Sequence, residues 1–228
     1  MKSSFIAARP SVALRLPTPA TADYSAQVRH FADLLARAAI VVLFSLMAVR
    51  FATDFLDTGR LTGLFLLISE AVVVVLTVFR RSAITIDRSL RARVLTTVSI
   101  VGPPVLVPAT VTAWAPEALT VALSCAGLAV VIAGKITLGR SFALLPANRG
   151  VVSSGVYRIV RHPIYMGYLV THVAYLAANP SLWNIAALVV ADVALMARAV
   201  CEEQTLAKDA AYREYQTRVR WRVAPGLF

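Results

Sequence analysis

From residue 33 onward the chain alternates long apolar runs with short polar connections, and the runs have the length of membrane crossings. Six stand out, at about 33–53, 61–79, 94–115, 117–138, 163–178 and 181–201. A helix crossing the hydrocarbon core needs on the order of 20 predominantly apolar residues. The pattern predicts an all-α, polytopic integral membrane protein with about six transmembrane helices. The third run contains Pro103, Pro104 and Pro108, so its helix is expected to kink or break, with neighbours satisfying the freed carbonyls. Only Asn179-Pro180 separates the last two runs, which predicts a tight helical hairpin.

The polar connections carry their own pattern. Arg80, Arg81, Arg88, Arg91 and Arg93 follow the second run, and Arg140, Arg149, Arg158 and Arg161 follow the fourth. The other connections hold few charges. The excess of positive charge on cytoplasmic loops places both basic connections, and both termini, in the cytoplasm. Residues 1–30 have scattered prolines and no continuous apolar stretch, so they read as a flexible or interfacial extension, not a cleaved signal. Residues 31–133 then form the N-terminal transmembrane helices. Residues 134–228 form a core of loop, helical hairpin and tail.

Composition agrees with a membrane setting. The 228 residues are 58% hydrophobic and 15% charged, where a soluble domain carries roughly a quarter charged residues. The net charge of +11 is a footprint nucleic-acid binders share. Here the arginines sit between apolar runs, and basic membrane borders account for them, so no nucleic-acid partner is expected. Cys125 and Cys201 both fall in or beside apolar runs, which fits neither a structural disulfide nor a metal site.

Candidate chemistry concentrates after residue 134. The connection GRSFALLPANRGVVSSGVYRIVRH is long for an ordered loop, and such loops are usually functional. No Asp or Glu occurs between residues 118 and 191, so the adjoining ligand is expected to have an anionic part. On the fifth run, Tyr165, Tyr168, His172 and Tyr175 fall within an arc of about 80° at helical spacing. His162 begins the stripe one turn earlier. A packing face would explain any one of these residues. Five together favour a lined pocket, because polar groups inside the membrane face a cavity or partner.

The sixth run ends in RAVCEEQTL, with Arg198 and Glu202 four residues apart on one face. Asp192 and Glu203 share a neighbouring face. Interface anchoring would explain an isolated Glu pair. Opposite an acid-free basic loop, the pair suits a zwitterionic ligand, with an ammonium on the glutamates and an anion on the arginines. Glu70 lies mid-run and is a functional candidate by its depth, while Lys135 is expected to snorkel to the interface. The tail AYREYQTRVRWRVAPGLF suits a helix at headgroup level, or a lid.

These pieces resemble a known family. LGRSFALLP at 138–146, SGVYRIVRHPIYMG at 154–167, Arg198 with Glu202-Glu203, and YREYQTRVRWRVAPG are similar to the membrane-embedded methyltransferases of the isoprenylcysteine carboxyl methyltransferase type. Phospholipid N-methyltransferases are looser relatives. The first 130 residues match only as generic spans. The resemblance implies an S-adenosylmethionine site capped by loop and tail, open to lipid on the acceptor side. By position it implies cofactor contacts from Tyr157, Arg161, His162, Tyr165, Glu202 and Glu203. Arg198 is implied near the reacting centre, and Tyr168, His172 and Tyr175 are the expected acceptor wall. Many relatives have Glu where this chain has Tyr168, which leaves the acceptor class open among carboxylate, amine and thiol. The expected partners are membrane lipids and a lipophilic or small methyl acceptor.

Two other readings compete. Steroid-reductase-like membrane enzymes carry a similar RHPxYxG segment and use NADPH, but two carboxylates poorly suit a 2′-phosphate. A transporter or scaffold would put its distinctive residues in paired broken helices, and here they lie in the loop and tail.

Overall fold

The computed structural model describes residues 42–59, 85–141 and 145–226, with residues 35, 38, 63–64 and 67–68. The chain divides into two compact units, Met1–Val42 and Leu43–Phe228, and the elements that follow belong to the second. The proposed N-terminal extension, Glu70 and nearly all of the second apolar run lie outside the described residues.

Residues 43–58 are helical. Then come α1 (Leu90–Val101), α2 (Glu117–Leu138), α3 (Pro163–Ala178), α4 (Leu182–Leu206) and α5 (Ala210–Arg218). A two-residue antiparallel pair joins β1 (Thr85–Ile86) to β2 (Ala147–Asn148). The chain is thus mostly helical. By length and composition, α2 and α4 qualify to cross a membrane, with mean hydropathies of 2.0 and 1.8.

The fourth and fifth apolar runs are helices with the expected bounds. The third is not one span. α1 ends at Val101, a 3₁₀ turn covers Pro103–Val105, and residues 106–116 are non-helical. The exposed backbone of this break finds partners on the hairpin. Asn184 accepts from the Val107 N–H at 3.1 Å and donates to the Val107 carbonyl at 2.8 Å. Asn179 accepts from the Ala109 N–H at 3.1 Å, and Trp183 Nε1 donates to the Val105 carbonyl at 2.8 Å. Asn184 is fully buried. Side-chain amides therefore supply the ladder that the prolines removed.

α2 and α3 pack at backbone distance. A Cβ on Gly167 would stand 2.5 Å from Val131 Cγ2 and 2.6 Å from the Gly127 carbonyl oxygen. No side chain fits there, so the glycine of RHPIYMG is where the two helices touch. This contact fixes the face that α3 turns toward α4, and with it Tyr165 and Tyr168. Lys135 does not snorkel as expected. It is 1% exposed and holds its ammonium 5.2 Å from the centroid of the Tyr168 ring. A desolvated cation over an aromatic face is a favourable alternative to reaching for water.

Candidate active site

The site is assembled where the loop, the start of α3, the end of α4 and the tail converge. Pro163 opens α3 at a position where a missing N–H costs nothing. Just before it, the backbone N–H groups of Arg161 and His162 donate to the Trp221 and Arg222 carbonyls at 2.9 and 2.7 Å. The tail is therefore stitched to the beginning of the helix.

Two further contacts hold the tail over the loop. Asp209 caps α5, accepting from the Ala211 N–H at 2.9 Å, and also accepts from Asn148 Nδ2 at 2.9 Å. The Asn148 bond and the backbone bond hold its carboxyl below the usual range. The Tyr215 hydroxyl donates to the Tyr157 carbonyl at 2.7 Å, within a buried cluster of Tyr157, Tyr212, Tyr215 and Val219. Burial pushes the Tyr215 phenol up to about 12 and raises Tyr157 and Tyr212 further. All three stay neutral hydroxyls at physiological pH. The tail folds back onto the loop and the start of α3.

Glu203 is the centre of the charge network. Its Oε1 accepts from Arg161 Nε at 2.8 Å and lies 3.2 Å from His162 Nε2. Its Oε2 accepts from Arg222 Nε at 2.9 Å, with Gln216 Nε2 at 3.5 Å. An ionised carboxylate only accepts, so His162 carries its proton on Nε2. One buried carboxylate thus gathers the loop, α3 and the tail.

Glu202, one residue earlier, points elsewhere. It accepts from the Tyr165 hydroxyl at 2.7 Å and lines a cavity, whereas Glu203 is outside the lining. Arg198, one turn before Glu202 and 7% exposed, places its guanidinium carbon 5.5 Å from the Tyr165 ring centroid. The cavity encloses about 1100 Å³ of empty space, including its open mouth.

The lining brings together most of the expected residues. Tyr157, Arg161, His162 and Tyr165 are in it, and so are Tyr168, His172, Arg198 and Glu202. Two are apart. Glu203 is used in holding the wall. Tyr175 packs in an apolar cluster with Met47, Phe51, Leu106 and Leu188, its ring 5.5 Å from that of Phe51. Ten residues from Tyr165 along α3, it is about 15 Å farther down the helix axis. A shared stripe does not imply a shared neighbour at that distance.

Sequence reasoning passed over Arg149, which joins the lining from the loop, and over Arg222 and Gln216, which complete the clasp on Glu203. Arg149 had a signal in its acid-free surroundings. The tail residues had none beyond their polarity. Among the described residues no group of His, Cys, Asp and Glu is placed to hold a metal ion. Cys201 is buried and Cys125 exposed, both free.

The chemistry of the donor set fits S-adenosylmethionine. Glu202 offers an acceptor to an ammonium or to ribose hydroxyls. Arg149, Arg161 and the loop offer donors to a carboxylate, and the tyrosines offer faces to a base and to a sulfonium.

Residues 117–208, from α2 to just past α4, match the isoprenylcysteine carboxyl methyltransferase (ICMT) family. No curated protein matches the chain in sequence. Over residues 117–208, less than half of the chain, the sequence is similar to that family of carboxyl methyltransferases.

Proposed function

We propose that the protein transfers a methyl group from S-adenosylmethionine to a lipophilic or small acceptor at the membrane. The observation that carries this reading is the division of one cavity wall between the Glu202 carboxylate and the Arg149 and Arg161 guanidiniums. A zwitterionic amino-acid end is the ligand such a wall suits.

The residues take distinct parts. Glu202, oriented by the Tyr165 hydroxyl, accepts hydrogen bonds from the cofactor. Arg149 and Arg161 present the donor side, His162 lines the cavity beside them, and Glu203 is the positioning residue that holds Arg161 and His162. Tyr157 lends the cavity an aromatic face near the tail. When bound, S-adenosylmethionine supplies an electrophilic methyl group on a positively charged sulfur. Arg198 stands where an acceptor arrives and stabilises negative charge on it, while Tyr168 and His172 line the acceptor side. Methyl transfer is an in-line displacement, so orientation and preorganised charge do most of the work. The tail and the lipid-side helices keep water out. In this reading the basic loop, the tail and both termini face the cytoplasm, and the acceptor enters from the bilayer.

Incubating membranes that contain the protein with methyl-labelled S-adenosylmethionine tests the reading. Label should enter a lipid-extractable product and disappear in Glu202→Gln. Label absent from every extracted and aqueous product would remove it.

A further inference from the structure

At the cavity stands a pair whose proton chemistry the binding scheme leaves unused. His172 lines the cavity and is 3% exposed. Its Nδ1 lies 2.7 Å from Asp192 Oδ1 on α4. A carboxylate accepts, so Nδ1 carries a proton, and in the neutral ring Nε2 holds the lone pair. That Nε2 is buried and has no hydrogen-bond partner. An orphaned buried acceptor is costly, and a buried histidine bonded to a carboxylate between two apolar helices is a functional candidate by its setting.

We propose that His172 and Asp192 form a general-base dyad that takes the proton from a hydroxyl or thiol acceptor. This rests on the methyltransferase reading. It narrows the acceptor, because a carboxylate is already ionised and needs no base. Its surroundings narrow it further. The Tyr168 ring stacks on His172 at 6.1 Å, with the Lys135 ammonium 5.2 Å from that ring. Arg198 borders the same cavity from α4, and Tyr165 does so from α3. α1 contributes Ser99 and Ile100, which do not titrate in the working range. Among the described residues, the Lys135 and Arg198 side chains bring positive charge to the dyad's surroundings and disfavour an ammonium acceptor. They favour an oxyanion or thiolate as it forms.

The step balances without another reactant. The acceptor's oxygen or sulfur lone pair forms the bond to the methyl carbon, and its proton passes to His172 Nε2. The carbon–sulfur bond of the donor breaks and its electron pair stays on that sulfur. The products are a methyl ether or thioether, a neutral thioether nucleoside, and an imidazolium paired with Asp192. The proton then leaves to water.

The purified full-length protein, wild type and as His172→Gln and Asp192→Asn, tests this with three measurements. S-adenosylhomocysteine affinity is read by calorimetry. Methyl transfer is assayed with nonylphenol, dodecanethiol and N-acetyl-S-farnesylcysteine. Nitrogen NMR of histidine-labelled protein reads the ring tautomers. Affinity should stay within about twofold in both variants, while turnover of the phenol or thiol falls at least about 100-fold, the usual scale for a lost base. In the wild type the His172 signals should show a protonated Nδ1 and a bare Nε2. Methylation of the carboxylate alone, or of none of the three, with nucleoside binding intact, would overturn the dyad and leave the cofactor reading standing. So would a protonated Nε2 in the wild type, which needs no variant to fold. Absence of nucleoside binding in the wild type would instead remove the methyltransferase reading and the dyad with it.

Discussion

Arg161 donates from Nε to Glu203 Oε1 at 2.8 Å, and the two side chains are 9% and 6% exposed. The pair lies 42 residues apart in sequence. It joins the residue just before His162 to the last turns of α4, and Arg222 closes on the same carboxylate from the tail. The cavity wall and its cover therefore share one anchor.

Removing that anchor should loosen the cover before it affects binding chemistry. Glu203→Gln leaves two guanidiniums facing an uncharged amide, at a cost of about 3 kcal/mol for a broken buried pair. The expected outcome is faster proteolysis and hydrogen exchange of residues 207–226, with cofactor affinity falling as a consequence. Unchanged protection of the tail would remove Glu203 from its central place.

Glu202 should act on binding alone. Glu202→Gln is expected to weaken S-adenosylhomocysteine binding by roughly 1.5–3 kcal/mol, the value of a hydrogen bond to a charged group. Thermal stability should hardly change. Tyr165→Phe should follow it in part, since it frees the carboxylate from its 2.7 Å bond. Equal affinity in wild type and Glu202→Gln by calorimetry would mean the carboxylate faces solvent only.

Arg198 separates catalysis from binding. Its guanidinium would repel a sulfonium and attract an anionic acceptor. Arg198→Leu should leave cofactor affinity unchanged or slightly better. Turnover should fall at least about tenfold, equivalent to about 1.4 kcal/mol of barrier. Loss of cofactor binding with the fold intact would show that Arg198 holds the cofactor itself.

The motif glycine should report on packing. Gly167→Ala puts a methyl 2.5 Å from Val131 Cγ2 and 2.6 Å from the Gly127 carbonyl oxygen. Forced overpacking of this kind costs typically 1–3 kcal/mol. A fall in the midpoint of thermal unfolding in detergent is the expected result, with an unchanged midpoint excluding the close approach.

Much of this arrangement was legible in the chain, for physical reasons. The bounds of α2 and α3 could be read because Pro116, Gly139, Pro163 and Asn179 punctuate apolar runs. The break after Val101 was legible from its prolines. α4 runs to Leu206, five residues beyond its apolar run, because the polar turn with Glu202 and Glu203 continues the helix among protein partners. The apolar run ends where the polar turn begins, and the helix does not. The pairings were hidden. Asp192 shares a helical face with Glu203 by spacing, yet it meets His172 on another helix. Lys135 was expected to reach for water and instead found the Tyr168 ring. A single sequence shows which face a residue occupies, and only packing shows what that face meets.

The central claim is that the cavity holds a sulfur nucleoside. Calorimetric titration of the purified full-length protein with S-adenosylmethionine, S-adenosylhomocysteine and NADPH tests it most directly. The account predicts saturable binding of both sulfur nucleosides at a single site and no heat from NADPH. Binding of NADPH with no response to either sulfur nucleoside would contradict it.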